Sequence, residues 1–451
     1  MVTSLAQQHS APYRYDTDPL PDSFFVRNRK ALLDRIPDSS VAVFFSAPVR
    51  NRSNDVDYDY HQDPDFYYLT GFDAPDALLF LFKPAIKGID GQPVTERLAI
   101  HARDASSERW TGRMATPEEV AVSSGIHEVV LTSETGIFKD AFQVGCRVLT
   151  KRLPQGVVND RQDEADLFDL LQEFKEKSTE SGAKTDDYIL GKKMALLREI
   201  KSEEELVLLR KAVQISVDGH LEMMRTVSPG MHEYSAEATG EFVFHNLGAE
   251  AVGYPSICGS EANSVVLHYD KNRRKLQDGE LLLLDMGAEY HGYTADITRT
   301  IPVSGRFNPQ QRAVYELVLA AQQAGIEACK VGNRFRQPHE AAFEVIEKGL
   351  LKLGITRSEK ETKDYFPHGT SHYLGLDVHD AGSFEPLKAF QVITVEPGIY
   401  IPAGSPCDPK WWNIGIRIED DVLITPDGPD VLSDRLPKTP EGIESVMNAK
   451  K

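Results

Sequence analysis

The chain has 451 residues, enough for two or three domains, and its 41% hydrophobic and 26% charged content is that of an ordinary globular protein. A formal net charge of −19 opposes binding to a phosphate backbone, so no nucleic-acid partner is expected. The longest apolar runs, LLLLDMGA and ALLFLF, are the size of buried strands and too short to span a membrane, so no membrane partner is expected.

Residues 1–22 are polar and Pro-rich, without a basic start followed by an apolar core, so no secretory leader is expected. The four cysteines, Cys146, Cys258, Cys329 and Cys407, are far apart and form no CxxC pair. They read as free thiols in a reducing cytoplasm, neither a disulfide framework nor a cysteine zinc site. FFVRNRKALLDRI has helical spacing and stops at Pro37. VAVFF and DALLFLFKP follow as buried strands separated by a long loop, the second ended by Pro84. Alternating helix and strand predicts a layered α/β domain over 1–187.

The charged stretch FKEKSTESGAKTDD lacks apolar periodicity and marks the domain boundary; a second domain spans 188–451. It opens with a helix capped by Ser202 with Glu205 three residues on, a capping box. Further helices end at Gly248, start at Asn308-Pro309, and end at Gly354. Strands lie in ELLLLDMGAEYHGYTADITRTIPV, QVITVEPGIYIP and IGIRIEDDVLITP, so this half is α+β. A weak internal echo gives each part of it one pair of acids, Asp285 with Asp296 and Glu396 with Glu419.

Four leucines before Asp285 imply a strand buried on both faces, where a carboxylate must be paired, hydrogen-bonded or metal-bound. His291-Gly292 reads as a two-residue hairpin loop, pairing Tyr290 with Tyr293, Met286 with Ile297 and Gly287 with Asp296. Asp285 and Asp296 then share a face as diagonal neighbours, roughly 5–8 Å apart at Cβ. Carboxylates that close repel unless a cation lies between them. A hairpin with two solvated aspartates is the plainer alternative, and a one-residue change in the loop would separate the pair. Arg417 and Glu419 alternate with Ile414, Ile416 and Ile418, so the arginine can hold that glutamate, although an exposed polar strand face is the plainer reading of the alternation. Glu396 ends the strand VITV before Pro397-Gly398.

HGTSHYLGLDVHD carries His368, His372 and His379 but not the HExxH pattern of a zinc helix. Leu374, Leu376 and Val378 alternate as in a strand, which would put His368 about 13 Å from His372 and turn His379 to the other side unless Gly375 bends the chain. His372 is therefore expected as the one metal ligand. Four carboxylates with one imidazole form an oxygen-rich set that favours Mn2+, with Co2+, Fe2+ or Zn2+ as alternatives. Their summed charge suits two divalent ions better than one.

Together, LLLLDMGAEYHGYTADITRT, HGTSHYLGLDVHD, VEPGIYI and IGIRIEDD resemble the pita-bread metallopeptidases of the aminopeptidase P and prolidase group. RNRSNDVDYDYHQDPDFYYLTGF is similar to the N-terminal domain of aminopeptidase P. The resemblance implies an α/β N-terminal domain before an α+β pita-bread (creatinase/aminopeptidase) catalytic domain. It implies metal ligation by Asp285, Asp296, His372, Glu396 and Glu419, with Asp296 and Glu419 bridging. Glu396 would take a proton from a metal-bridging hydroxide's parent water, while His379 and His268 would contact substrate and the tetrahedral centre. Arg417 would support Glu419, His368 would lie nearby, and Trp110 would reach a neighbouring subunit's site in a dimer or tetramer. The implied reaction removes an N-terminal residue that precedes proline from small peptides. The alternatives are an Xaa-Pro dipeptidase (prolidase) and a non-catalytic binding protein on the same fold. Methionine aminopeptidases lack this N-terminal domain, and metal-free creatinase relatives lack the acid set.

Overall fold

The apolar runs SVAVFF and LLFLF pair antiparallel, Ser40 opposite Lys83 and Phe45 opposite Leu78, in a computed structural model that describes residues 18–143, 146–159, 164–183 and 185–449. Most of the polar N-terminal stretch lies outside these residues. The chain divides into two units, Met1–Leu197 and Arg198–Lys451.

In chain order the first unit contains α1 (Asp22–Arg35), β1 (Ser40–Phe45), β2 (Asn51–Ser53), β3 (Val56–Asp57), α2 (Pro64–Thr70), β4 (Leu78–Lys87) and β5 (Pro93–Ile100). It continues with α3 (Glu108–Thr111), α4 (Pro117–Ser124), β6 (Val129–Leu131), β7 (Arg147–Thr150), α5 (Leu167–Ser181), β8 (Thr185–Asp186) and most of α6 (Ile189–Arg198). Its mixed six-stranded sheet has the order β6-β5-β4-β1-β7-β8. Both hydrophobic strands bury every residue that faces Phe138, Leu170, Leu171 and Phe174, which form one core.

Three expectations for this half need correction. The segment between β1 and β4 is not one long loop, since it holds β2, β3 and α2. β4 continues beyond Pro84, because the proline falls where the β4–β5 register is interrupted between Leu81 and Ile86 and its missing N–H breaks no ladder there. Most of FKEKSTESGAKTDD is the last part of α5, whose apolar face is buried by Leu167, Leu170, Leu171 and Phe174 further up the helix. The division falls at Leu197/Arg198, ten residues beyond the boundary placed at 187/188 from composition.

The second unit comprises α7 (Glu203–Thr226), α8 (Glu233–Asn246), β9 (Ala251–Val252), β10 (Ile257–Ser260), β11 (Leu281–Asp285), β12 (Ala288–Tyr290), β13 (Tyr293–Thr294) and β14 (Thr298–Pro302). Then come α9 (Pro309–Glu327), α10 (Gln337–Leu353), α11 (Thr362–Tyr365), β15 (Val392–Val395), β16 (Gly398–Ile401), β17 (Ile414–Arg417), β18 (Asp420–Thr425), β19 (Gly428–Val431) and α12 (Pro440–Asn448). Ser202 and Glu205 form the reciprocal capping box of α7, and Asn308 with Gln311 forms that of α9, with Pro309 in its first turn.

The hairpin register is the one the turn predicts. Tyr290 pairs with Tyr293, the Met286 N–H donates to the Ile297 carbonyl, and Asp285 pairs with Thr298. His291 and Gly292 have φ of 50° and 78°, the two positive values of a type I′ turn. The ladder breaks between β11/β14 and β12/β13, and Asp296 sits in that break. The second acid pair repeats the device. Val395 pairs with Asp420 and Gly398 with Arg417 in one register, so Glu396 and Glu419 stand opposite each other where the ladder is interrupted.

No helix of the described residues is long and apolar enough to cross a membrane. Helix α7 lies against the hairpin, and its His220 is fully buried with Nε2 bonded to the Met286 carbonyl (3.1 Å). Burial pulls the His220 pKa down from 6.5 to about 4. Between these values the unfolded chain binds a proton that the folded chain refuses, so stability falls as pH drops through the window. The slope is at most about 1.36 kcal/mol per pH unit. Urea unfolding at pH 7 and pH 5 should show His220→Gln losing less stability on acidification than the wild type; equal losses would contradict this account.

Candidate active site

The site is built where strands stop. Asp285 closes a five-residue strand buried throughout, Asp296 lies in the hairpin break, Glu396 follows β15, and Glu419 lies between β17 and β18. Asp296, His372 and Glu419 each offer one ligand atom, and these atoms all lie within 4.8 Å of one another. His372 Nε2 is 3.3 Å from Asp296 Oδ2 and 3.7 Å from Glu396 Oε1. Its Nδ1 bonds to the Tyr373 carbonyl at 3.0 Å, which requires the proton there and leaves the Nε2 lone pair for the cluster.

Asp285 joins the cluster through a residue that sequence reasoning missed. The Tyr254 hydroxyl lies 2.6 Å from Oδ1 of Asp285 and 2.6 Å from Oδ1 of Asp296. The diagonal placement of the two aspartates is thus realised at the distance of a shared donor. Tyr254 sits in the irregular link between β9 and β10, and no periodicity marks it. Thr298 was also missed, and its hydroxyl donates to Glu419 Oε2 at 2.7 Å. Asp421 was the third, accepting the Asp296 N–H at Oδ2 (3.1 Å) while its Oδ1 is buried without a hydrogen-bond partner.

Arg417 needs a correction. It holds Asp285 rather than Glu419, with Nη2 on Asp285 Oδ2, Nη1 on the Tyr400 hydroxyl (2.8 Å) and Nε on the Thr298 hydroxyl (3.2 Å). The chain leaves strand geometry after Arg417, so the expected alternation with Glu419 on one face does not apply. The arginine reaches Glu419 through Thr298 instead. Behind Glu419, Arg299 donates to its carbonyl (2.6 Å) and to Asp420 Oδ1 (2.6 Å), and Lys438 and Gln322 complete the Asp420 carboxylate.

The histidine motif also departs from expectation. Residues 374–379 are not a strand; Tyr373 makes a single bridge to Ile393, and turns follow. The Leu374 N–H still donates to the Val392 carbonyl of β15 (3.1 Å), but Leu376 and Val378 make no ladder, and the bend returns His379 to His372, ring centroids 4.4 Å apart at 73°. His368 bonds to the Tyr400 hydroxyl at 2.9 Å, with its Nδ1 3.7 Å from Glu396 Oε2. His268 is exposed in a turn. Trp110 is 88% exposed on α3 of the first unit.

The electrostatics follow from burial. Desolvation and the neighbouring acids push Glu419 well above the carboxylate range, burial pushes Glu396 up to about 7, and Asp296 and Asp421 also rise. Burial opposes ionisation of Asp285 too, but Arg417 and the Tyr254 hydrogen bond bring it below its ordinary value. Desolvation opposes charge on His372, yet Asp296 and Glu396 raise it to about 9. Burial lowers His368 to about 4 and also lowers His379. Without a cation this cluster holds protons. The oxygen-rich donors, one oriented imidazole and the orphaned Asp421 oxygen fit divalent metal.

The metallopeptidase family M24 model matches residues 207–426, and the aminopeptidase P N-terminal domain matches residues 25–143. The chain is 34% identical to the Xaa-Pro aminopeptidase of Escherichia coli K12 over 94% of its length and 97% of that protein's. It is 34% identical to human Xaa-Pro aminopeptidase 3, covering 91% and 81% of the two chains. Among solved structures it resembles Pseudomonas aeruginosa aminopeptidase PepP (TM-score 0.84, 34% identity, 96% and 99% covered). E. coli aminopeptidase P with the inhibitor Pro-Leu matches equally (TM-score 0.84, 33% identity, 95% and 99% covered).

Divalent ions should raise the Tm of chelator-treated protein, because binding to the folded state alone stabilises it by about 2.7 kcal/mol at a free ion concentration 100 times Kd. Asp296→Asn and Glu419→Gln should each remove most of the rise in a calorimetric titration. A Tm indifferent to Mn2+, Co2+ and Zn2+ would refute the metal assignment.

Proposed function

The chain belongs to metallopeptidase family M24, in its aminopeptidase P branch with the pita-bread fold, and we propose that it works with two divalent ions, Mn2+ natively, on Asp285, Asp296, His372, Glu396 and Glu419. It is a metal-dependent Xaa-Pro aminopeptidase, hydrolysing the bond between an N-terminal residue and a following proline. The dipeptidase and non-catalytic readings are not favoured. The observation that carries the site assignment is the group formed by buried Asp296 and Glu419 with half-buried His372, whose donor atoms lie within 4.8 Å of one another. Two ions are supported by the excess of carboxylate charge over one divalent cation, and Mn2+ by the dominance of oxygen donors.

Bound there, divalent ions would supply Lewis acidity that lowers the pKa of a water and polarises the scissile carbonyl. The chain's own residues do the rest. Glu396, ionised beside bound cations, would take the proton of the attacking water and return it to the leaving proline nitrogen. The Xaa-Pro bond is a tertiary amide, so that nitrogen has no hydrogen of its own and must receive one to depart. His379, whose pKa is lowered by desolvation and by the neighbouring His372, donates to the developing oxyanion together with His268. His368, neutral and bonded to Tyr400, lines the site beside Glu396. Tyr254 and Arg417 hold Asp285 against Asp296, and Thr298 holds Glu419.

A dimer or tetramer in which exposed Trp110 reaches a neighbouring site, and a cytoplasmic location, complete this reading. The location is supported by the four free thiols. Metal analysis of active protein should give about two ions per chain. Xaa-Pro-Yaa peptides should be cleaved, and faster than Xaa-Pro dipeptides. Asp296→Asn should abolish turnover while keeping the far-UV circular dichroism of the wild type; a fully active variant would remove Asp296 from the centre.

A further inference from the structure

The motif HGTSHYLGLDVHD ends in an acid to which the reaction assigns no task. Asp380 follows His379, and its carboxylate is buried between two cations. Lys201 Nζ donates to Oδ2 at 2.6 Å, and Arg198 Nη2 donates to Oδ1. Both cations are buried as well, the Lys201 side chain 1% and the Arg198 side chain 3% exposed. They are fixed before they meet the acid, since Lys201 Nζ also donates to the Arg198 carbonyl (2.6 Å) and the Lys201 N–H to the Phe390 carbonyl (2.8 Å). Charge-assisted bonds from two sides hold a carboxylate in one orientation.

This anchor stands at the foot of a small loop. The Asp380 N–H donates to the Tyr373 carbonyl at 2.9 Å, and the Gly375 N–H donates to the Asp377 carbonyl at 3.2 Å. Gly375 admits no side chain, because a Cβ would collide with the Asp380 carboxylate and approach the Lys201 ammonium to 2.6 Å. Its carbonyl accepts the Thr294 N–H at 2.9 Å, which ties the loop to the hairpin that carries Asp296. The His379 ring is itself exposed, on backbone that no helix or strand supports. An exposed imidazole on an irregular loop keeps one direction only if the backbone beneath it is clamped.

We propose that the buried Arg198–Asp380–Lys201 cluster positions His379 beside His372, where its imidazole meets the developing oxyanion. Asp380 touches neither substrate nor metal in this scheme, and acts through the neighbouring residue. The proposal rests on the functional reading of His379 given above.

The test is a double-mutant cycle with Asp380→Asn, which keeps the shape of the side chain, in the wild-type and His379→Ala backgrounds. Since a displacement of about 1 Å can cost about 100-fold, D380N should lower kcat by about 10- to 100-fold with KM within about twofold. In H379A the same substitution should change kcat by less than about threefold, because residues acting as a unit are not additive. A crystal structure of D380N should show the His379 ring out of its edge-on contact, with Asp296, His372 and Glu419 still grouped. If D380N does not fold, Lys201→Gln, which leaves Arg198 on the carboxylate, is read in the same way. Full activity of the variant, multiplicative losses in the H379A background, or an unmoved His379 ring would overturn the proposal. A fully active H379A would overturn it together with the role given to His379. A wild type that cleaves no Xaa-Pro peptide would defeat the functional reading instead, and the crystallographic arm would still decide the positioning.

Discussion

Repulsion among buried carboxylates organises this protein. Asp285, Asp296, Glu419 and Asp421 are all less than one-tenth exposed and close enough to raise or oppose one another's ionisation. Such a group is tolerable only with compensating protons, cations and donors. Each neighbouring element supplies one of these. Tyr254 gives one hydroxyl to two aspartates, Arg417 a guanidinium to Asp285, and Thr298 a hydroxyl to Glu419. Divalent cations held there would take the place of the remaining protons.

The sheet geometry serves the same end. In both acid pairs the ladder is interrupted while the register continues, as shown by Asp285 opposite Thr298 with Tyr290 opposite Tyr293, and by Val395 opposite Asp420 with Gly398 opposite Arg417. A break frees room for a side chain between strands while the flanking pairs keep their register. A second layer of charge lies behind. Arg299, fully buried, binds the Glu419 carbonyl and the Asp420 carboxylate, and Lys438, Ser433 and Gln322 complete Asp420. The burial of Asp420 opposes its ionisation, but these cations hold its pKa far below the carboxylate range. Without metal, Asp296, Glu396, Glu419 and Asp421 are thus pushed toward their protonated forms, while Asp285, held by Arg417, and Asp420, held by Arg299 and Lys438, are pushed toward the ionised form.

Much of the site was legible in the chain because its information is local. A strand alternates with period 2, and a His-Gly turn admits two positive φ values, so the relation of Asp285 to Asp296 followed from counting. The capping boxes at Ser202 and Asn308 were legible for the same reason, each being a contact over three residues. The reading of the histidine motif as a strand failed beyond Leu374, where backbone bonding to β15 ends and the chain bends at Gly375, so the alternation of Leu376 and Val378 has no ladder to serve.

By itself, the sequence determined the hairpin register, the placement of acids at strand ends and the capped helices. Tertiary structure alone decided that Arg417 turns to Asp285, that Tyr254 joins two carboxylates 31 and 42 residues away, and that the loop after His372 folds back to bring His379 beside it. The physical reason is range. Periodicity and turn chemistry are set by neighbours along the chain, whereas the partner of a buried charge is set by whichever opposite charge the closed fold leaves within reach.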